Sequence, residues 1–117
     1  MLTFYTNPMS RGRIARWALE EVGQPYDTVA LEYYTTMKAP KYLAVNPMGK
    51  VPAIVHDGKV VTEVAAICTY LALTFPEAGL MAVDKAAFFR WMFFAAGPLE
   101  QAAVNMGFGW KTSGPQE

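Results

Sequence analysis

The sequence predicts an α/β domain with its elements in the order β-α-β-α-β-β-α, followed by a helical segment. Three observations predict it. Short apolar runs bounded by Gly, Pro, Asn and Asp alternate with longer runs of helical period. Two of the short runs are joined by His56-Asp57-Gly58-Lys59, a hairpin turn signal. Beyond Pro76 the pattern changes, and Phe88, Phe89, Trp91, Met92, Phe93 and Phe94 leave a helix almost no polar face.

Leu2 to Tyr5 reads as the first strand and Thr6 to Ser10 as a loop. Arg11 to Val22 is a helix, with Ile14, Trp17, Ala18 and Val22 near helical spacing and Gly23 as its stop. Tyr26 to Leu31 is the second strand, and a short helix lies within Lys38 to Val45. Ala53 to Val55 and Val60 to Thr62 form the hairpin strands. Val64 to Phe75 is a helix whose Val64, Ile67, Cys68, Leu71, Ala72 and Phe75 share one face, and Pro76 ends it. Strands alternating with helices argue for a parallel core with a hairpin at one edge. That is the thioredoxin-like pattern. Residues 77–83 read as a linker, and Asp84 caps a long helix to about Asn105, with a bend at Gly97-Pro98.

The 117 residues allow one domain plus part of another. An apolar fraction of 53% fits a globular chain and excludes disorder. Net charge is zero and no basic run exceeds Arg11-Gly12-Arg13, so nucleic acid and acidic membrane surfaces are not expected partners. Cys68 is the single cysteine, which points to a reducing compartment, the cytoplasm. No signal peptide is read, and no apolar stretch reaches the ~18 residues of a membrane span.

Asn46-Pro47-Met48-Gly49-Lys50-Val51-Pro52 is the stretch that carries function. Pro47 and Gly49 are turn residues. Pro52 has no N–H and fits a strand only at its first residue, where a cis Val51–Pro52 bond would turn the chain sharply. The Val51 N–H and C=O would then be unpaired by the sheet and open to an extended peptide ligand. This loop, with Glu63-x-x-Ala66-Ile67 at matching distance, resembles the thioredoxin-like domain of the glutathione S-transferase family, bacterial members in particular. The resemblance divides the chain into a glutathione-binding domain at 1–76, a linker at 77–83 and the start of an incomplete all-helical domain at 84–117.

What the resemblance implies is a transferase that binds reduced glutathione as co-substrate, needs no resident cofactor or metal, and activates the thiol to attack a small electrophile in detoxification. A free thiol is only a few per cent thiolate at neutral pH, so such a site needs a donor on the sulfur and a positive field. Ser10, just before the first helix, is one candidate for that hydroxyl; the alternative is an ordinary helix cap. Tyr5 is the rival, six residues before Arg11, with packing against the sheet as its bland role. Glu63 would accept from the γ-glutamyl ammonium, or else cap its helix. Val64 stands where the family usually has Ser, so one hydroxyl contact is lost, although the helix start still offers N–H groups. Val51, ahead of Pro52, would pair through its backbone with the cysteinyl part, and Lys50 would meet the glycine carboxylate or lie solvated. Arg11 and Arg13 would raise the local potential. His56 reads as a lone turn residue and Cys68 as a buried small apolar group. The family's helices matching Val64–Phe75 and Asp84–Asn105 help form a homodimer. The alternative reading is a non-catalytic thioredoxin-like module for dimerisation or binding.

Overall fold

The computed structural model describes residues 1–111; the last six residues of the expected 84–117 segment lie outside the described residues. The chain forms two compact units, Met1–Met81 and Ala82–Glu117.

The first unit contains β1 (Leu2–Thr6), α1 (Gly12–Val22), β2 (Asp27–Ala30), a 3-10 turn (Thr36–Lys38), α2 (Pro40–Leu43), β3 (Ala53–His56), β4 (Lys59–Thr62), α3 (Val64–Thr74) and a second 3-10 turn (Pro76–Ala78). The sheet order is β2-β1-β3-β4. β1 and β2 are parallel, whereas β3 runs against both β1 and β4. The parallel core expected from the alternation is therefore a single parallel pair. The connection from residue 31 to 52 holds only the 3-10 turn and a four-residue α-helix, too short to carry the chain back along the sheet.

Side-chain alternation in β1 divides the core. Leu2 and Phe4 join Ile54, Ala15, Leu19, Val22, Ile67 and Leu71 under α1 and α3. Tyr5 faces the other way and packs with Leu31, Met37, Tyr42, Val45 and Val51. The buried stripe of α1 is Gly12, Ala15, Leu19 and Val22. Ile14 and Trp17, expected on that stripe, are exposed, because small residues let the helix approach β1 where an indole would hold it off. A Cβ on Gly12 would lie 2.0 Å from Thr6 Oγ1. Gly23 ends α1 in the left-handed region, its N–H donating to Leu19 O.

The hairpin turns on Asp57 and Gly58 alone, with φ of +48° and +79°. His56 thus belongs to β3, and it is not alone: its Nδ1 lies 2.8 Å from the Tyr70 hydroxyl and its ring packs against Phe75. Cys68 is only partly buried, since Ile67, Leu71 and Ala72 take the inner face of α3. Burial still pushes its thiol pKa up.

In the second unit Asp84 caps α4 (Lys85–Phe94), its Oδ1 accepting from the Ala87 N–H at 3.0 Å. The single bent helix read from the sequence is two α-helical stretches, α4 and α5 (Glu100–Gly107), joined by a π turn at Ala95–Leu99 that contains Pro98. Proline cannot donate to the helical ladder, and a widened turn absorbs the loss. No residue of α4 or α5 is buried. Among the described residues no helix is long and apolar enough to cross a membrane.

Candidate functional site

Sheet register gathers the candidate residues. Tyr5 pairs with Ala53, and Ala53 with Thr62. These three residues form one row across the sheet, ~10 Å wide at the usual strand spacing. The loop to α1 leaves β1 one residue past the row. Val51-Pro52 enters β3 just ahead of it, and Glu63-Val64 follows it into α3. Ser10, Val51 and Glu63 therefore lie at the same end of the sheet, where α1 and α3 begin.

Asn7 builds the first loop. It is buried, its Nδ2 donating to Leu31 O at 2.8 Å and its Oδ1 accepting from the Met9 N–H at 2.9 Å. The Ser10 hydroxyl donates to Asn7 O at 2.7 Å and accepts from the Gly12 N–H at 3.0 Å. Ser10 is thus the local cap of α1 in this state, although Arg11 occupies the cap position. Its proton would have to turn from Asn7 O to reach a ligand. Tyr5 sits on β1 with its ring 5.4 Å from that of Tyr42.

The second loop is held by side chains from the preceding turn and helix. Lys38 Nζ donates to Met48 O at 3.2 Å and Gly49 O at 2.7 Å. The Tyr42 hydroxyl and Asn46 Nδ2 donate to Lys50 O at 2.6 and 2.9 Å. Asn46 Oδ1 accepts from the Met48 N–H. Gly49 has φ +58°, and a Cβ there would meet the Lys38 side chain at 2.9 Å. The Val51–Pro52 peptide is cis, as expected. The sheet ladder starts at Ala53, and no hydrogen bond among the described residues uses the Val51 N–H or C=O. Lys50 exposes its side chain. Tyr42 is buried, and that burial raises its hydroxyl pKa.

Glu63 is the third piece. It is exposed, has φ +70° and ψ +127°, and its side chain makes no cap hydrogen bond. A bulky residue at positive φ stores roughly 1–3 kcal/mol. The capping role is therefore not what holds Glu63 there. Its carbonyl accepts from the Ile67 N–H, so the first N–H groups of α3, from Val64 on, lie ahead of the ladder.

Among the described residues, no group of three His, Cys, Asp or Glu could hold a metal ion. Arg13 is exposed on α1. Asn7, Lys38 and Tyr42 are the residues that sequence reasoning missed. Their partners are backbone carbonyls of other segments, which no side-chain pattern announces.

Residues 1–73 match the glutathione S-transferase N-terminal domain. Glutathione S-transferase GST-4.5 of Xanthomonas campestris pv. campestris is 34% identical over 101 residues, 80% of this chain and 47% of that protein. Protein LigF of Sphingobium sp. is 63% identical over 35 residues, 30% of this chain and 14% of that protein. A glutathione transferase homologue from Sulfitobacter, solved with bound glutathione, superposes with a TM-score of 0.76 at 32% identity, over 97% of this chain and 58% of that one. The chain spans about half the length of the GST-4.5 and Sulfitobacter relatives. With its thioredoxin-like sheet, its N-terminal match and its bacterial relatives, this chain belongs to the glutathione S-transferase family.

Proposed function

We propose that this chain binds reduced glutathione along the row that joins β1, β3 and β4, and that the complete active unit activates the thiol to attack a small electrophile. One observation carries the reading. Glu63, exposed, uncapped and at positive φ, stands one residue past the same row that Val51 precedes with both backbone groups unpaired. A carboxylate and an open peptide edge at that spacing suit the γ-glutamyl ammonium and the cysteinyl amide of an extended tripeptide. The N–H groups at the start of α3 would take the γ-glutamyl carboxylate, and Lys50 the glycyl carboxylate. Val64 supplies no hydroxyl, which costs affinity relative to a site with one.

Ser10 is the better candidate for the thiolate donor, because it sits at the start of α1 where anions are favoured. Tyr5 stands second, with its ring committed to packing on Tyr42. Glutathione is co-substrate and no resident cofactor takes part. The single cysteine fits a reducing, cytoplasmic setting. Trp91, Phe93, Phe94, Phe108 and Trp110 are exposed apolar groups, which supports a homodimer or a larger assembly.

A melt of the chain with and without ~10 mM reduced glutathione tests binding. Saturation at 100 Kd stabilises by about 2.7 kcal/mol, which raises the midpoint by several degrees. A folded chain whose midpoint does not move would overturn the reading. The second reading, a non-catalytic binding module, draws on the Ser10 hydroxyl proton being already donated to Asn7 O, with the Gly12 N–H donating to the hydroxyl oxygen. Turnover with a generic electrophile separates the two: Ser10→Ala should lower it at least tenfold, and an unchanged rate removes Ser10 from the chemistry.

A further inference from the structure

We infer that Tyr42 and Asn46 are positioning residues for glutathione, acting through the peptide between Lys50 and Val51. The inference rests on the binding reading above and deepens it. Both donors are buried, and both aim at one atom, the Lys50 carbonyl oxygen, at 2.6 and 2.9 Å. That oxygen has two lone pairs, and both are used. The Lys50–Val51 peptide is trans and planar, so its N–H points opposite to its C=O. Pinning the carbonyl towards two buried donors therefore turns the Val51 N–H away from them. The Val51 side chain packs on the Leu31, Met37 and Tyr42 cluster, which fixes the residue from a second direction. Lys38 fixes the two preceding carbonyls, Met48 and Gly49.

Three consecutive carbonyls are thus tied down, while the next N–H, that of Val51, has no partner among the described residues. A peptide held this way presents its donor without first paying to order it, and preorganised donors bind more tightly than ones that must be immobilised. The occupant this donor fits is a peptide carbonyl in extended conformation, which in glutathione is the cysteinyl C=O. Merely filling the core would need the Tyr42 ring but not its hydroxyl.

The test uses the full chain, Tyr42→Phe and Asn46→Asp, with Tyr26→Phe as a control that removes a hydroxyl elsewhere. Tyr42→Phe keeps the packing ring; Asn46→Asp faces the Lys50 carbonyl with an acceptor instead of a donor. Two quantities are read: glutathione affinity by titration calorimetry, and the Val51 amide resonance in 15N spectra with and without glutathione. The expected result is that the parent's Val51 amide shifts on binding and that Tyr42→Phe weakens affinity about fivefold, the worth of one hydrogen bond. Its free-state Val51 resonance should move as well, and Tyr26→Phe should change neither quantity. Asn46→Asp should act in the same direction. If the parent binds glutathione and both variants bind equally well with an unmoved Val51 resonance, the positioning role is wrong and the binding site stands. If the folded parent does not bind, the functional reading falls and this inference with it.

Discussion

Glu63 shows most plainly how the fold can hold a single residue against its local preference. Its backbone lies at φ +70°, and nothing local repays it: the side chain caps nothing. Strain of this kind persists where the surrounding structure holds the residue for another purpose. Glycine, having no Cβ, tolerates a positive φ better than any other residue, so Glu63→Gly is expected to raise stability by about 1 kcal/mol, the released strain exceeding the entropy that glycine adds to the unfolded chain. The same change removes the carboxylate, so the glutathione-induced rise in melting midpoint should vanish. Glu63→Gln keeps the backbone and separates the two effects: stability stays at the parent value while the ligand shift shrinks. Melts of the three proteins with and without glutathione check this. A Gly variant that is less stable than the parent would show that the carboxylate holds the fold. Glu63 was legible in the sequence because it belongs to a short motif at fixed distance from Pro52. Its positive φ was not, since no neighbouring Gly or Asn signals it.

The elements were legible to the extent that each carries its own period or punctuation. α1 stops at Gly23, α4 starts at Asp84, and the hairpin turns at Asp57-Gly58, all as the residues dictate. The inner face of α1 was misread, because the large apolar residues Ile14 and Trp17 outweigh Gly12 and Ala15 in any hydrophobic count. What selects the face is the space against β1, a tertiary quantity. Gly12 makes this testable. A methyl there would lie 2.0 Å from Thr6 Oγ1 and 3.0 Å from Ser10 Oγ, and Thr6 is buried and cannot swing away. Gly12→Ala should therefore destabilise the fold by ~1–3 kcal/mol in denaturant melts, despite alanine's better helix propensity. It should also displace the Ser10 hydroxyl and lower turnover. An alanine variant as stable as the parent would mean that α1 can shift along β1 freely. The π turn at Ala95–Leu99 was read only as a bend, because Pro98 announces a break in the ladder but not how the ladder closes around it.

At the scale of the whole molecule, three groups whose pKa values the fold raises predict a loss of stability on the alkaline side. Burial raises the pKa of the Tyr42 hydroxyl, of the Cys68 thiol and, with help from its bond to Glu20, of the Tyr26 hydroxyl. For Tyr42 the hydrogen bond into the Lys50 carbonyl adds a structural reason, since a phenolate would face an acceptor. Each group holds its proton more tightly folded than unfolded. Below the unfolded pKa values both states are protonated and stability is at its full value. Above roughly pH 8.5, where an ordinary thiol ionises, and more steeply near pH 10, where tyrosine does, the unfolded chain loses protons that the fold retains. Stability therefore declines with rising pH until the folded groups also ionise. Melting midpoints measured from pH 7 to 10.5 should be level to about pH 8 and fall beyond it. Tyr42→Phe removes one contributor, so its curve should start lower and fall less steeply than the parent's. Because Tyr42 also holds the Lys50 carbonyl, its ionisation frees the peptide that carries the Val51 N–H. The loss of glutathione affinity at high pH should then be larger in the parent than in Tyr42→Phe, with the ligand's own ionisations common to both. Equal declines in the two proteins would place the alkaline limit elsewhere and detach the loop from the titration of Tyr42.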